Sequence, residues 1–212
     1  MPDEVDTKFI KAFRKFLDTQ IRKGRRFILI CGGGKTARKY MNALPKARKC
    51  TTEDADWIGI HATRLNAEFV RSAYKDIAHR EVVCDPTKKA DFREKILVAY
   101  GWKPGWSTDY DAVLHAKQHK VKKLINLSNI EYVYTKDPKK YKDAKKIERI
   151  PWTDFRKIVG DKWSSGLNMP FDPVASKLAQ KLKLEVAIMK GSDLRNLANF
   201  LDGKKFRGTI IK

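Results

Sequence analysis

The chain has 212 residues, of which 42% are apolar and 33% charged, a size and balance that fit one folded domain with a sizeable core and exclude a disordered polar chain. Lysine and arginine number 46 against 25 acidic residues, and the resulting net charge of +21 suits anionic partners: nucleotides, nucleic acids or anionic lipid surfaces. No run approaches the roughly eighteen apolar residues of a membrane helix, the mixed N-terminus MPDEVDTKF is unlike a signal peptide, and Cys31, Cys50 and Cys84 form no CxxC pair, so a cytoplasmic protein with reduced thiols and no zinc site is expected.

The spacing of Phe9, Ile10, Phe13, Phe16, Leu17 and Ile21 predicts a helix over 7–23, stopped at Gly24. RFILI (26–30) is the continuous apolar run of a buried parallel strand, and residues 35–43 read as a helix. DWIGI (56–60) is short and apolar, and a helical stretch follows it. EKILVAY (94–100) is a strand that leads into the loop GWKPGWSTD and then a helix. VKKLINLSN (121–129) is a strand opening onto a polar, lysine-rich excursion. Helices are expected at WTDFRKIVG and at 172–182, a strand at 184–191, a helix capped by Ser192 and stopped at Gly203, and a closing strand at GTIIK. Alternating strands and helices predict an α/β fold with a mainly parallel sheet. Ligands of such folds sit beyond the carboxyl ends of the strands, so the loops 31–35, 101–109 and 126–138 are candidates to meet in one crevice.

The stretch FILICGGGKTARKY is a strand feeding a glycine turn and a basic helix. A P-loop needs a glycine five residues before the Gly-Lys pair, and Leu29 stands there. Gly32, Gly34 and Ala37 fit a dinucleotide fingerprint, but Asp54 and Asp56 precede the next apolar run instead of following it. What survives is the general physics: bare backbone N–H groups at a helix N-terminus bind phosphate, and glycines let it come close.

The loop GWKPGWSTD offers Ser107 or Thr108 as a helix cap with Asp109 in the first turn. The same hydroxyls suit a phosphate, and Trp102 or Trp106 a base. His115 and His119 have metal-ligand spacing, but the sequence HAKQH lacks the glutamate of a zincin, and the pair reads as solvated. No nucleophile-elbow, Ser/His/Asp or Cys/His set is present. Phosphoryl transfer to an acceptor phosphate tolerates that absence, because the attacking oxygen is already an anion and positioning with cationic clamps supplies most of the catalysis.

CGGGKTARKY, DWIGIHATRLNA, the PGxSTD loop, SNIEYVYTKDP, DPVASKLAQ and GKKFRGTIIK occur in the order found in archaeal-type uridylate kinases, and the chain resembles that group of the amino acid kinase superfamily from about residue 8 to its end. The resemblance implies a three-layer α/β/α sandwich of the carbamate kinase-like kind, a single domain over 1–212 whose residues 1–120 mainly hold the acceptor nucleotide and 121–212 mainly ATP. It implies phosphorylation of UMP by ATP with Mg²⁺, in pyrimidine nucleotide synthesis, by a homohexamer. Carried over by motif, Gly33, Asp56 and the loop Trp102, Lys103, Pro104, Gly105, Trp106, Ser107 and Thr108 would bind UMP, with Asp56 on the ribose. Gly34, Arg38, Ser128, Asn129, Tyr134 and Asp137 would bind ATP. Lys35 and Arg38 are the candidate catalytic cations, and Arg64 and Asn66 would shape the UMP side.

Three departures stand out. The family's opening strand, ending in Gly-Gly-Ser, has no counterpart here, so the native start is expected to lie upstream or the strand to be lacking. Glu131-Tyr132 stand where the family has Asp-Gly, and the 101–109 loop is one residue short. These leave two alternatives open: another acceptor, such as isopentenyl phosphate or a carboxylate, or a non-catalytic relative whose charge serves nucleotide or nucleic-acid binding.

Overall fold

Asp6 starts the first helix, α1 (Thr7–Arg22), by accepting the Phe9 N–H at 2.8 Å. The computed structural model describes residues 4–162 and 169–212 and divides into two units that meet in sequence between Gln118 and His119.

In the first unit β1 (Phe27–Ile30) pairs in parallel with β2 (Ile96–Ala99), from Phe27 opposite Ile96 to Ile30 opposite Ala99. Every residue of β2 is buried, which explains why its sequence is a continuous apolar run. The segment 77–83 lines the other side of β2, with His79 N–H donating to the Ile96 carbonyl at 2.8 Å and Val83 N–H to that of Val98 at 2.9 Å. Helices α2 (Gly34–Ala47), α3 (Thr52–Ala73) and α4 (Thr108–Gln118) complete the unit. Its core is Leu17, Ala67, Val70, Tyr74, Ala78, Ile96 and Val98. The Tyr74 hydroxyl donates to the Ile10 carbonyl at 2.9 Å and ties α3 to α1.

DWIGI is not a separate apolar element: α3 runs through it without a break. Thr51 and Asp54 form a capping box that starts the helix well before the run. The side chains of Asp56, Ile60, Thr63, Ala67 and Val70 then fall on one buried face. The solvated reading of the histidine pair also fails at His115, which is fully buried on α4 together with Asp111.

In the second unit the strands β3 (Lys123–Ser128), β7 (Glu185–Lys190), β8 (Thr209–Ile211) and β6 (Arg149–Ile150) form one sheet in the order β3-β7-β8-β6. The pairs β3–β7 and β6–β8 are parallel, and only β7–β8 is antiparallel. The lysine-rich excursion contains a short antiparallel pair, β4 (Val133–Tyr134) with β5 (Lys146–Ile147). Two-residue strands are too short to leave a periodic signal, so neither these nor β6 is visible in the sequence. Helix α7 (Leu194–Leu201) is capped by Asp193, which accepts the Asn196 N–H at 2.9 Å, so Ser192 is not the cap.

Helices α5 (Trp152–Val159) and α6 (Pro173–Lys181) pack around Trp152, Phe155 and Phe171. Trp152 satisfies its indole N–H on the Leu184 carbonyl at 2.9 Å, while Phe155 is fully buried and purely apolar. Phe155→Ala is expected to cost about 3–5 kcal/mol, the usual penalty for emptying an aromatic site. Urea unfolding followed by tryptophan fluorescence measures it, and a loss below about 1 kcal/mol would show that the site collapses around the smaller side chain. Among the described residues no helix is long and apolar enough to cross a membrane.

Candidate functional site: a glycine turn and an anchored loop

After β1 the chain turns through Cys31, Gly32 and Gly33 into α2, whose first residue, Gly34, has φ of +61°, a conformation that favours glycine. The turn packs closely on α3. A methyl group built on Gly33 would lie 2.4 Å from the Ala37 Cβ and 3.4 Å from the Gly59 carbonyl oxygen. Buried Asn66 donates its side-chain amide to the Gly32 carbonyl at 2.8 Å and to that of Gly33 at 3.3 Å. Gly33 supplies no side-chain cap, so the first-turn N–H groups of α2 form an anion-receptive end, with Lys35 and Arg38 exposed on the same helix.

The loop after β2 is held at several points. Thr63 Oγ1 accepts the Gly101 N–H at 2.9 Å and donates to the Ile60 carbonyl at 2.6 Å. The buried carboxylate of Asp111 accepts the Trp102 N–H at 3.1 Å, and the Cys84 thiol reaches the Gly101 and Trp102 carbonyls at 3.5 Å. Asp56 Oδ2 accepts the Gly105 N–H at 2.9 Å, and Gly105 has φ of +82°. Ser107 Oγ accepts the Tyr110 N–H at 3.1 Å, so Ser107 is the helix cap. Trp106 stacks on Tyr110 at 4.2 Å, and the Lys103 ammonium sits 4.0 Å over the Trp102 ring. A methyl built on Gly32 would lie 3.8 Å from Thr108 Oγ1. The glycine turn, Asp56 and the 101–108 loop therefore form one cluster in the first unit.

Sequence reasoning named most of that cluster but missed Thr63, Cys84 and Asp111, which anchor the loop from behind. The signal for Asp111 was a carboxylate on the apolar face of α4, which is legible only once the helix is docked.

Ser128 ends β3, Asn129 follows it, Tyr134 ends β4, and Asp137 lies in the β4–β5 connection of the second unit. The Ser128 carbonyl accepts the Gly191 N–H at 2.8 Å, and Ser128 Oγ meets Asn129 Oδ1 at 3.4 Å. Asp137 builds a turn by accepting the Lys139 N–H at 2.9 Å on its carboxylate. At the departing pair, Glu131 meets Arg207 Nε at 3.2 Å and Tyr132 is buried beneath the Lys146 ammonium.

Burial pushes the Cys31 thiol up to about 12. At pH 8 that leaves a thiolate fraction of about 10⁻⁴, so Cys31 should be the slowest of the three cysteines to alkylate, as peptide mass spectrometry would read. Modification of Cys31 ahead of Cys50 and Cys84 would show that its packing opens readily. Among the described residues no three His, Cys, Asp or Glu side chains cluster as a metal cage.

The model of the amino acid kinase family matches residues 3–190. The uridylate kinase of Thermococcus onnurineus is 34% identical over 218 residues, covering 100% of this chain and 94% of its own. That of Thermococcus sibiricus is 33% identical over 217 residues, with 100% and 94% covered. The crystal structure of uridylate kinase from Archaeoglobus fulgidus superposes with a TM-score of 0.85 at 29% identity, covering 99% of this chain and 94% of that one. The UMP kinase of Bacillus anthracis, at 19% identity and a TM-score of 0.78, shares the fold. With matches of this extent over nearly the whole sequence, the chain belongs to the amino acid kinase family.

Proposed function

We propose that the protein transfers the γ-phosphoryl group of ATP to UMP, giving UDP and ADP. The observation that carries the reading is the anchored 101–108 loop, held by Asp56 beside the glycine turn, in a chain that matches uridylate kinases over nearly its full length. Gly33, Asp56 and residues 102–108 hold the acceptor nucleotide, with Asp56 accepting from the ribose through the oxygen that does not hold Gly105. Ser128, Asn129, Tyr134 and Asp137 hold the adenine nucleotide. The first unit is thus the acceptor half and the second the ATP half of one catalytic domain.

The chemistry asks little of a base. The acceptor phosphate is already anionic, so catalysis rests on alignment and on neutralising charge that spreads over the transferring group. The N–H groups at the start of α2, with Gly34, Lys35 and Arg38, supply fixed positive potential for that purpose. Among the described residues no cluster of His, Cys, Asp or Glu forms a cage, so a magnesium ion would be carried by the nucleotide's own phosphate oxygens and would neutralise their charge. A cytoplasmic homohexamer completes the reading.

The deciding measurement is ADP release from ATP and Mg²⁺ with UMP, CMP, isopentenyl phosphate or no acceptor. UMP-dependent turnover is expected, with the other acceptors at least tenfold slower. Faster turnover with isopentenyl phosphate would overturn the acceptor assignment, and calorimetry showing no UMP binding would overturn the reading as a whole.

A further inference from the structure

The second unit carries a groove of about 790 Å³ between α7, the 203–208 loop and the β5–β6 connection. It contains none of Ser128, Asn129, Tyr134 or Asp137. Its three carboxylates are each matched by a cation: Glu148 by Lys146 at 2.8 Å, Glu185 by Lys123 at 3.6 Å, and Asp193 by Arg207 at 2.6 Å. Arg149, Arg195, Lys204 and Lys205 line the same groove, are exposed, and have no ion pair among the described residues. The excess positive charge of the chain thus has one concave concentration.

The lining is ordered rather than loosely solvated. Asn196 is buried and clamps the backbone of Arg207 from both sides, donating to its carbonyl at 2.7 Å and accepting its N–H at 2.7 Å. That fixes the loop bearing Lys204 and Lys205 against α7. Phe200 and Phe206, half-buried and in edge contact at 4.8 Å, form an apolar floor between the cations. Arg195 stands in the first turn of α7 and Lys204 beyond its C-terminal end, past the turn at Gly203, with about 9 Å of helix between Arg195 and Leu201 at 1.5 Å of rise per residue.

We propose that this groove binds single-stranded nucleic acid, with successive phosphates on Arg195, Lys204, Lys205 and Arg149 and a base against Phe200 and Phe206. Spaced cations along a groove with an aromatic floor are the recurring solution for single strands, because every base has a face to stack and every linkage a charge. Concavity and a recessed floor argue against a flat lipid surface, which would meet protruding apolar side chains instead.

The test is fluorescence anisotropy with labelled dT12 and an abasic 12-mer of the same backbone. Four phosphate contacts predict a log–log salt slope near −2.8, hence roughly fifty-fold weaker binding at 200 mM than at 50 mM salt. The variant R195E/K204E/K205E should weaken dT12 binding at least tenfold. K8E/K11E/K15E, an equal charge change on the exposed face of α1, should weaken it less than threefold. UMP-dependent turnover, which the groove does not serve, should be retained by both, so a failed kinase assignment and a failed groove are told apart. Equal weakening by the two variants would assign binding to bulk charge and overturn the proposal. So would equal affinity for the abasic strand, or no binding at 50 mM salt.

Discussion

Gly33→Ala should lower kcat/KM for UMP by about 100-fold, the scale of loss that a misplacement of about 1 Å brings to a site built on alignment. The added methyl would lie 2.4 Å from the Ala37 Cβ, a distance that neither atom tolerates, and Gly59 closes the other side at 3.4 Å. The clash therefore pushes the turn and the start of α2 away from α3. The cause can be checked directly, because Ala37→Gly removes the opposing methyl. The double variant Gly33→Ala/Ala37→Gly should regain at least tenfold, even though glycine costs α2 up to about 1 kcal/mol of helix propensity. Steady-state kinetics of the three proteins decide the matter. If Gly33→Ala alone stays within threefold of the parent, the turn does not position a reacting phosphate.

The second large effect is expected at Asp56. Asp56→Ala leaves the Gly105 N–H without its acceptor and removes the carboxylate assigned to the ribose. A hydrogen bond to a charged group is worth about 1.5–3 kcal/mol, so KM for UMP should rise roughly 10- to 150-fold. The value of kcat should change little, since Asp56 is assigned to binding and not to the transferring phosphoryl. Asp56→Asn keeps an oxygen that can accept from Gly105 and should cost only a few-fold. An unchanged KM for UMP in Asp56→Ala would sink the assignment, whereas a fall in kcat at constant KM would move Asp56 from the acceptor to the chemistry.

These two residues also mark where the sequence was and was not enough. Gly33 and Asp56 were identified by their motifs, and the structure joins them to the loop through Gly105 and α3. The residues that hold that loop from behind were not identified. Thr63 and Asp111 are polar side chains on helices, and their hydrogen bonds to backbone N–H groups 38 and 9 residues away leave no trace in local periodicity. DWIGI misled for a related reason. Its apolar residues are dense enough to suggest a separate element, but the capping box at Thr51 had already committed the segment to helix.

Local physics written into the chain determined the order and type of the long elements. Continuous apolar runs became parallel strands, fully buried in β2 but only half-buried in β1, amphipathic spacing became α1 and α3, and Ser107 became a cap because its side chain can reach an N–H three residues on. Only the tertiary structure decided the rest: that β7 and β8 run antiparallel, that His115 is buried, that Asp193 and not Ser192 caps α7, and that four cations with no ion pair among the described residues share one groove. Each of these depends on which groups become neighbours when distant segments close on one another. That closure is governed by burial and hydrogen-bond satisfaction across the whole core, which no local window of sequence contains.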